Sequence, residues 1–397
     1  MARRSIGLKL MYRGEPNGIP EAQNLKAANS GLFLMMVIAL PFDNALFHFF
    51  GTMLFVTVAL TLYRTGSAPL KRAYETNHYV LAAFAAILAI MLVSNIVNDQ
   101  NGEAWRTMLV FIFRYGLIFA ALTFLLESQF LTLRYILLAC VTAVLIQLLP
   151  FLPEIWDGSI FSTRFEGFTS NANVIGLYAG LGVLVGIYFA ANRRVAMVPR
   201  ILVSLILILL ASAALLASGN RGGWVALVGA LACYAIFQSR RNYKITLPLL
   251  ALLSLGTTFV FTQFAGPKNR LELLLKGYPA LRDEVWTNSY QLFLEKPILG
   301  YGLDTRSALL QNHYIYSEHN IFLSALLALG ALGLLAYGFL LFTICRPALK
   351  NRNAIGLSAM TFLMGCGMFG FDFYRDQHFM VCFVIVSVAC LYEDRKI

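Results

Sequence analysis

Charge is scarce in this chain. Only 13% of its 397 residues are Asp, Glu, Lys or Arg, and 59% are apolar. A soluble domain carries about a quarter charged residues and is nearer half apolar. The balance excludes a globule solvated by water alone and makes lipid the main solvent of the chain. The six cysteines (Cys140, Cys233, Cys345, Cys366, Cys382 and Cys390) lie within or at the ends of apolar runs and form no CxxC pair. That spacing argues against a disulfide framework and against a zinc site. There is no DxD pair and no HExxH, and the acids outside the apolar runs are dispersed. The chemistry is therefore expected to be metal-independent and to need no cofactor. Internal repeats of the kind transporter folds show are missing. The first 30 residues are basic and polar without an apolar core, which does not fit a cleavable signal peptide. The first helix is expected to direct insertion.

What the chain has is a series of long apolar runs. A span needs about 20 apolar residues to cross a hydrocarbon layer about 30 Å thick. Twelve runs qualify, near 28–42, 45–63, 78–96, 107–126, 131–150, 172–191, 199–217, 222–238, 245–264, 320–344, 354–371 and 377–392; Pro41 ends the first of them early. The net charge of +11 does not point to nucleic acid, because the basic residues fall in short clusters between the runs. With a cytoplasmic N-terminus, alternate loops hold Arg64, Lys71 and Arg72; Arg134; Arg193, Arg194 and Arg200; Arg240, Arg241 and Lys244; and Arg346, Lys350 and Arg352. The opposite loops hold Asp43; Asp99 and Glu103; Glu154, Asp157 and Glu166; and Asp372 and Asp376. The asymmetry follows the positive-inside rule and predicts both termini in the cytoplasm.

The expected architecture is an all-α polytopic membrane protein. Residues 1–264 carry helices one to nine, 265–319 form a long outer loop, and 320–397 carry helices ten to twelve, all in one integrated membrane domain. Within the long loop, LELLLKGY and VWTNSYQLFL repeat their apolar residues at helical spacing, so short amphipathic helices lying over the membrane are predicted. A long structured loop in a compact bundle is usually functional.

Five places carry candidate chemistry. Arg114 lies inside the fourth run, where a charge costs about 2.5–3.5 kcal/mol on the insertion scale and calls for a partner or a cavity. Arg221 follows Ser218-Gly219-Asn220 and precedes Gly222-Gly223-Trp224, at the start of a span whose N-terminus suits an anionic phosphate; a plain interfacial turn explains the same residues equally well. Arg282 opens Arg-Asp-Glu-Val-Trp in the long loop. Its fork suits phosphate, although Asp283 and Glu284 are ready partners. His319, between Glu318 and Asn320 where the loop enters the tenth span, is placed to act as a general base or as part of an interfacial polar cap, with His313 as a nearby competitor. Arg164 with Glu166, Asn171 and Asn173 ends the moderate outer loop and offers a further anion contact or a helix cap.

The run from His319, HNIFLSALLALGALG, places Gly330 and Gly333 after His-Asn. It resembles the His-[Asn/Ser/Gly]-x9-Gly-x2-[Gly/Thr/Tyr] signature of the O-antigen ligase family. ASGNRGGWVAL resembles the Arg-Gly-Gly stretch of the wider ligase and polymerase superfamily, and EKPILGYGLD (295–304) its Pro-x-x-Gly-x-Gly segment. Residues from about 160 to 335 carry the resemblance; the first five spans match in hydropathy only. It implies a GT-C-like membrane glycosyltransferase in the bacterial inner membrane, with its site on the periplasmic face. It also implies an undecaprenyl-diphosphate-linked O-antigen as donor, a lipid A–core sugar as acceptor, and metal-independent inverting transfer without nucleotide. Arg221 and Arg282 match the family's essential arginines and His319 its essential histidine, while Gly330 and Gly333 are expected to permit close helix packing. Physical reasoning adds that the two arginines neutralise a leaving diphosphate, His319 takes the proton of the attacking hydroxyl, and Trp286 and Tyr301 stack on sugars. Arg164 and Asn320 complete the candidate substrate contacts. Besides these substrates, membrane lipids are the expected partners. Rival readings are an O-antigen polymerase, a protein O-oligosaccharyltransferase and, from a different class, a lipid-linked glycan transporter. A transporter should hold its buried polar groups near the midplane, and a ligase at the outer interface.

Overall fold

The computed structural model describes residues 20–42, 44–156, 165–169, 171–191, 197–238, 282–305 and 318–392. The predicted ninth span (245–264), Arg164, His313 and most of the long loop lie outside them.

Every regular element among the described residues is helical. In chain order they are α1 (Pro20–Ala39), α2 (Asn44–Thr65), α3 (Ala68–Val97), α4 (Gly102–Phe111), a π turn (Ile112–Leu117), α5 (Ile118–Glu127), α6 (Leu133–Leu148), α7 (Phe151–Trp156), a short 3-10 turn (Gly167–Thr169), α8 (Ala172–Ala191), α9 (Met197–Ser218), α10 (Arg221–Phe237), α11 (Arg282–Glu295), α12 (Ile321–Asn351), α13 (Ala354–Gly370) and α14 (Gln377–Tyr392). Among the described residues, six helices are long and apolar enough to cross a membrane: Ala45–Thr65, Ala68–Val97, Gly102–Glu127, Ala172–Ala191, Arg200–Ser218 and Ile321–Asn351. Four shorter apolar helices, Tyr135–Leu148, Arg221–Phe237, Ala354–Gly370 and Gln377–Tyr392, fall where further spans were expected. The chain is thus a polytopic all-α membrane protein. Two helices overrun their expected limits: α3 begins at Ala68 rather than near 78, and α12 runs on to Asn351. Both extensions carry polar residues that hydropathy alone does not count.

Packing follows from small residues and aromatics. With lipid tails as apolar as leucine, helices associate by close van der Waals contact, and small residues permit it. On α8, a Cβ at Gly180 would lie 2.0 Å from the Phe362 ring of α13, and one at Gly186 2.7 Å from Ile208 of α9. Large apolar side chains on the outside, such as Leu109, Val225 and Leu335, stay exposed because lipid is their expected neighbour. Inside, Phe84, Phe111, Tyr115, Tyr337, Phe373 and Phe383 form an aromatic cluster, with ring centroids 4.1 Å apart for Tyr337–Phe373 and 4.5 Å for Phe111–Tyr115. Such pairs are worth about 0.5–1.5 kcal/mol beyond the area they bury.

The tenth expected span is bent. Within α12, Gly330 adopts φ 66° and ψ −165°, conformations closed to other residues. The residues 297–304 fill the break: Tyr301 N–H donates to Leu327 O (2.8 Å), Gly302 N–H to Ala328 O (2.9 Å) and Ala331 N–H to Pro297 O (2.8 Å). A Cβ on Gly330 would sit 2.2 Å from Ile298 O, and one on Gly333 2.1 Å from Leu329 Cβ. Gly330 therefore permits the close approach of a loop inserted at the kink, while Gly333 gives room to Leu329 of its own helix. Helix groups freed by a kink need new partners at membrane depth, and the Pro-x-x-Gly-x-Gly segment supplies them.

Candidate functional site

One end of the bundle gathers the sequence features. There α3 ends and α4 begins, α9 hands over to α10, α13 to α14, and the long loop enters α12. Cross-contacts tie these corners together. Asn101 Nδ2 donates to Asp304 (2.8 Å), Asn220 Nδ2 to Asn173 O (3.3 Å), Ser324 Oγ to Asp372 (3.1 Å) and Trp286 Nε1 to Glu318 O (3.0 Å).

Arg221 is the first residue of α10. Asn220 caps that helix by accepting from Gly223 N–H at 3.0 Å, which answers one of the free N–H groups of the first turn. Gly222 lies flat against α13: a Cβ there would be 2.3 Å from that of Phe369. The Arg-Gly-Gly stretch thus holds Arg221 at a fixed point beside Phe369. Among the described residues the Arg221 side chain makes no hydrogen bond or ion pair, and it is half-buried.

Arg282 opens α11; its side chain lies outside the described atoms. One turn later Trp286 packs its ring 6.2 Å from that of Phe369 while bonding the Glu318 carbonyl. His319 follows Glu318 directly. Its side chain is exposed and its φ is +45°, a left-handed backbone that non-glycine residues adopt at a cost. Asn320 is buried and caps α12, its oxygen accepting from Phe322 N–H (3.0 Å) and Leu323 N–H (3.2 Å). Phe369 and Trp286 therefore form a hub through which the backbones carrying Arg221, Arg282 and His319 converge. Tyr301 sits apart, at the kink. Its hydroxyl donates to Glu295 (2.5 Å) and Lys296 covers its ring at 4.7 Å.

Behind His319 lies an acidic layer. The connection 371–376 is anchored by Phe371, Phe373 and Tyr374, all fully buried, with Tyr115 O–H donating to Phe373 O at 3.0 Å. Between these anchors it presents Asp372, Arg375 and Asp376. Arg375 donates to Leu303 O (3.1 Å) and lies 3.8 Å from Asp304; Thr305 and Tyr374 share a hydrogen bond of 3.0 Å. Burial, and next the charge of Asp372, push Glu318 up to about 7. Burial and the same neighbour raise Asp376 as well. Arg375 is held above its ordinary value: burial opposes this, and Tyr374, Asp372, Glu318 and Asp304 outweigh it.

On the far flank of this connection is an open groove of about 600 Å³. Arg106 and Arg114 line it from α4 and the π turn, and Tyr374 and Arg375 from the connection, with Glu103 at its mouth. Arg114, the intramembrane charge of the sequence, donates to Gln377 at the start of α14. Of the buried charged residues of the described chain, Asp304, Glu318 and Asp372 lie at this end, and Arg114 lies deeper, midway along its span. Among the described residues, no group of three or more His, Cys, Asp or Glu side chains is arranged to hold a metal ion.

Phe369, Arg375 and the groove escape a reading by motif. The available signal was density: Asp-Phe-Tyr-Arg-Asp (372–376) packs three charges into five residues of a chain otherwise poor in them.

Two comparisons bear on this end of the molecule. A family model described as O-Antigen ligase matches residues 205–338, which include Arg221, Arg282, Trp286, His319 and both signature glycines. A curated protein of Pseudomonas aeruginosa, "O-antigen ligase", is 26% identical over 285 residues, covering 70% of this chain and 67% of that relative.

Proposed function

We propose, from the match of residues 205–338 to the O-antigen ligase family model and the 26% identity to a curated O-antigen ligase, that the chain is such a ligase and transfers O-antigen glycan from undecaprenyl diphosphate to a sugar of lipid A–core, completing lipopolysaccharide. The observation that carries it is the hub at Phe369 and Trp286, where the elements bearing Arg221, Arg282 and His319 meet at one end of the bundle.

In this mechanism Arg221 and Arg282 hold the donor diphosphate and offset the charge that grows on it as the glycosidic bond breaks. The acceptor hydroxyl attacks the anomeric carbon from the opposite side, and neutral His319 takes its proton. The products are the inverted glycoside and the free carrier diphosphate. The left-handed backbone at His319 presents the imidazole outward while Glu318 stays buried behind it. Trp286, Tyr301 and Arg164 complete the sugar and donor contacts, and Asn320, which caps the helix after His319, fixes the backbone there. The transfer uses neither metal nor nucleotide. The site faces the periplasm, both termini are cytoplasmic, and the helices amount to twelve spans in a GT-C-like bundle of the inner membrane, arranged as 1–264, the loop 265–319 and 320–397. Three of the four buried charges among the described residues, Asp304, Glu318 and Asp372, lie at the helix ends beside His319, which favours a transferase over a lipid-linked glycan transporter; Arg114 lies deeper in its span.

The test is reconstitution. Purified protein is mixed with undecaprenyl-diphosphate glycan and lipid A–core, with chelator and without nucleotide, and the products are separated on a gel. Glycan joined to lipid A–core is the expected product. Elongated carrier-linked glycan in its place would make the protein a polymerase, and neither product would return the transporter.

A further inference from the structure

The groove beside the 371–376 connection plays no part in the mechanism above, yet it is built for an anion. Glu103, Arg106, Thr107 and Arg114 recur at helical spacing along one face of α4 and the π turn. From Gly102 to Arg114 that face descends about 18 Å at 1.5 Å per residue. Three cations converge on the groove, from α4, the π turn and the 371–376 connection, and Glu103 is the acid in its lining. Arg375 is held by Leu303 O and Asp304, with Asp376 and Asp372 beside it on the connection. Arg106 has no hydrogen bond or ion pair among the described residues, and it repels Arg114 across the groove. Arg114 is 8% exposed, and its Nε is buried without a partner although another of its nitrogens reaches Gln377. It lies on the π turn, an element that recurs at functional sites. A buried guanidinium with an unanswered N–H, facing a second arginine, is stabilised by a ligand bearing phosphate oxygens, which the fork of arginine matches.

We propose that this groove binds a phosphate ester of the acceptor glycolipid. The assignment to the acceptor rests on the proposed function, in which Arg221 and Arg282 already occupy the donor diphosphate. It also rests on position: Tyr374 and Arg375 line the groove, while Asp372, three residues before Arg375, takes the hydrogen bond of Ser324 on the first turns of α12, just beyond His319. A glycolipid anchored by its phosphate on one flank reaches the histidine by passing over this connection.

The test is binding without turnover. The full chain in dodecyl maltoside is titrated with lipid A–core, with the same glycolipid after phosphatase treatment, with undecaprenyl diphosphate and with phosphatidylglycerol. Arg106→Gln and Arg114→Gln proteins are titrated alongside, and thermal midpoints report their folding. Arg106 is exposed, so its variant reads the groove even where the Arg114 variant fails to fold. The parent protein should bind intact lipid A–core about tenfold more tightly than the dephosphorylated form, a lost charged hydrogen bond being worth about that much. Arg106→Gln should erase the difference, and Arg106→Lys should restore part of it, with undecaprenyl diphosphate affinity unchanged. Equal affinity for the two glycolipids, no effect of Arg106→Gln, an equal loss for undecaprenyl diphosphate, or equal competition by phosphatidylglycerol would each overturn the assignment. A protein that shows this discrimination but transfers nothing would sink the proposed function and leave the groove as a glycolipid phosphate site.

Discussion

The two flanks of the 371–376 connection handle charge in opposite ways. On the His319 flank the acids go inward: Glu318 and Asp372 are buried, and the histidine stands exposed in front of them. On the other flank the cations line open space, with Arg106, Arg114 and Arg375 around a groove. One short segment serves both, because its aromatic residues are sunk in the core and its charged ones are left to face either way. The contrast teaches how a chain with 13% charged residues can build a polar site at a membrane surface. The aromatics hold the backbone, and the backbone then places a few charges where each has a partner or a purpose.

Removing the shared mount should break both flanks together. Phe373 is fully buried against Tyr115, Phe111 and Tyr337. Phe373→Ala should destabilise the protein by about 3 kcal/mol or more, as core Phe→Ala changes do. It should also weaken lipid A–core binding and transfer alike. Chemical denaturation in micelles, beside both assays, measures this; loss on one flank alone would show that the flanks are mounted separately.

A smaller effect separates them. Below its ordinary value of 4.5, Glu318 is neutral folded or unfolded. Between there and about 7 the folded protein keeps the proton that the unfolded chain has released. Stability therefore falls as pH rises through that window and levels above it. Glu318→Gln should flatten part of this slope in thermal midpoints recorded from pH 4 to 8 and leave the groove's affinity for the glycolipid intact. A slope as steep as the parent's would mean that Glu318 does not hold its proton there.

The smallest change is at the other end of the hub. Asn220→Ala removes the cap on α10 and should lower stability by about 1 kcal/mol, with a loss of transfer as Arg221 loosens and no change at the groove. Unchanged transfer would mean that the cap does not position Arg221.

Much of this was legible in the sequence. Arg221, Arg282 and His319 stand at helix starts marked by Asn220, by the helical spacing of VWTNSYQLFL and by Asn320, and each cap or spacing is a local signal. Gly330 and Gly333 declared a close approach, although a kink filled by residues 297–304 is a tertiary fact that helical periodicity does not carry. Two kinds of feature stayed hidden. The meeting of Trp286, Phe369 and Gly222 joins residues far apart in the chain, and no local rule pairs them. The groove needs Tyr374 and Arg375 set against the face that carries Arg106 and Arg114, and no local rule brings segments so far apart in the chain together. The sequence marked Arg114 as costly and left its partner, Gln377, unnamed.

The most direct measurement is the reconstituted transfer run with Arg221→Ala, Arg282→Ala and His319→Ala, each checked for a thermal midpoint close to the parent's. Loss of the lipid A–core-linked product by about 100-fold or more in all three, with folding intact, is the predicted result. A folded His319→Ala protein that transfers at the parent rate would contradict the account at its centre.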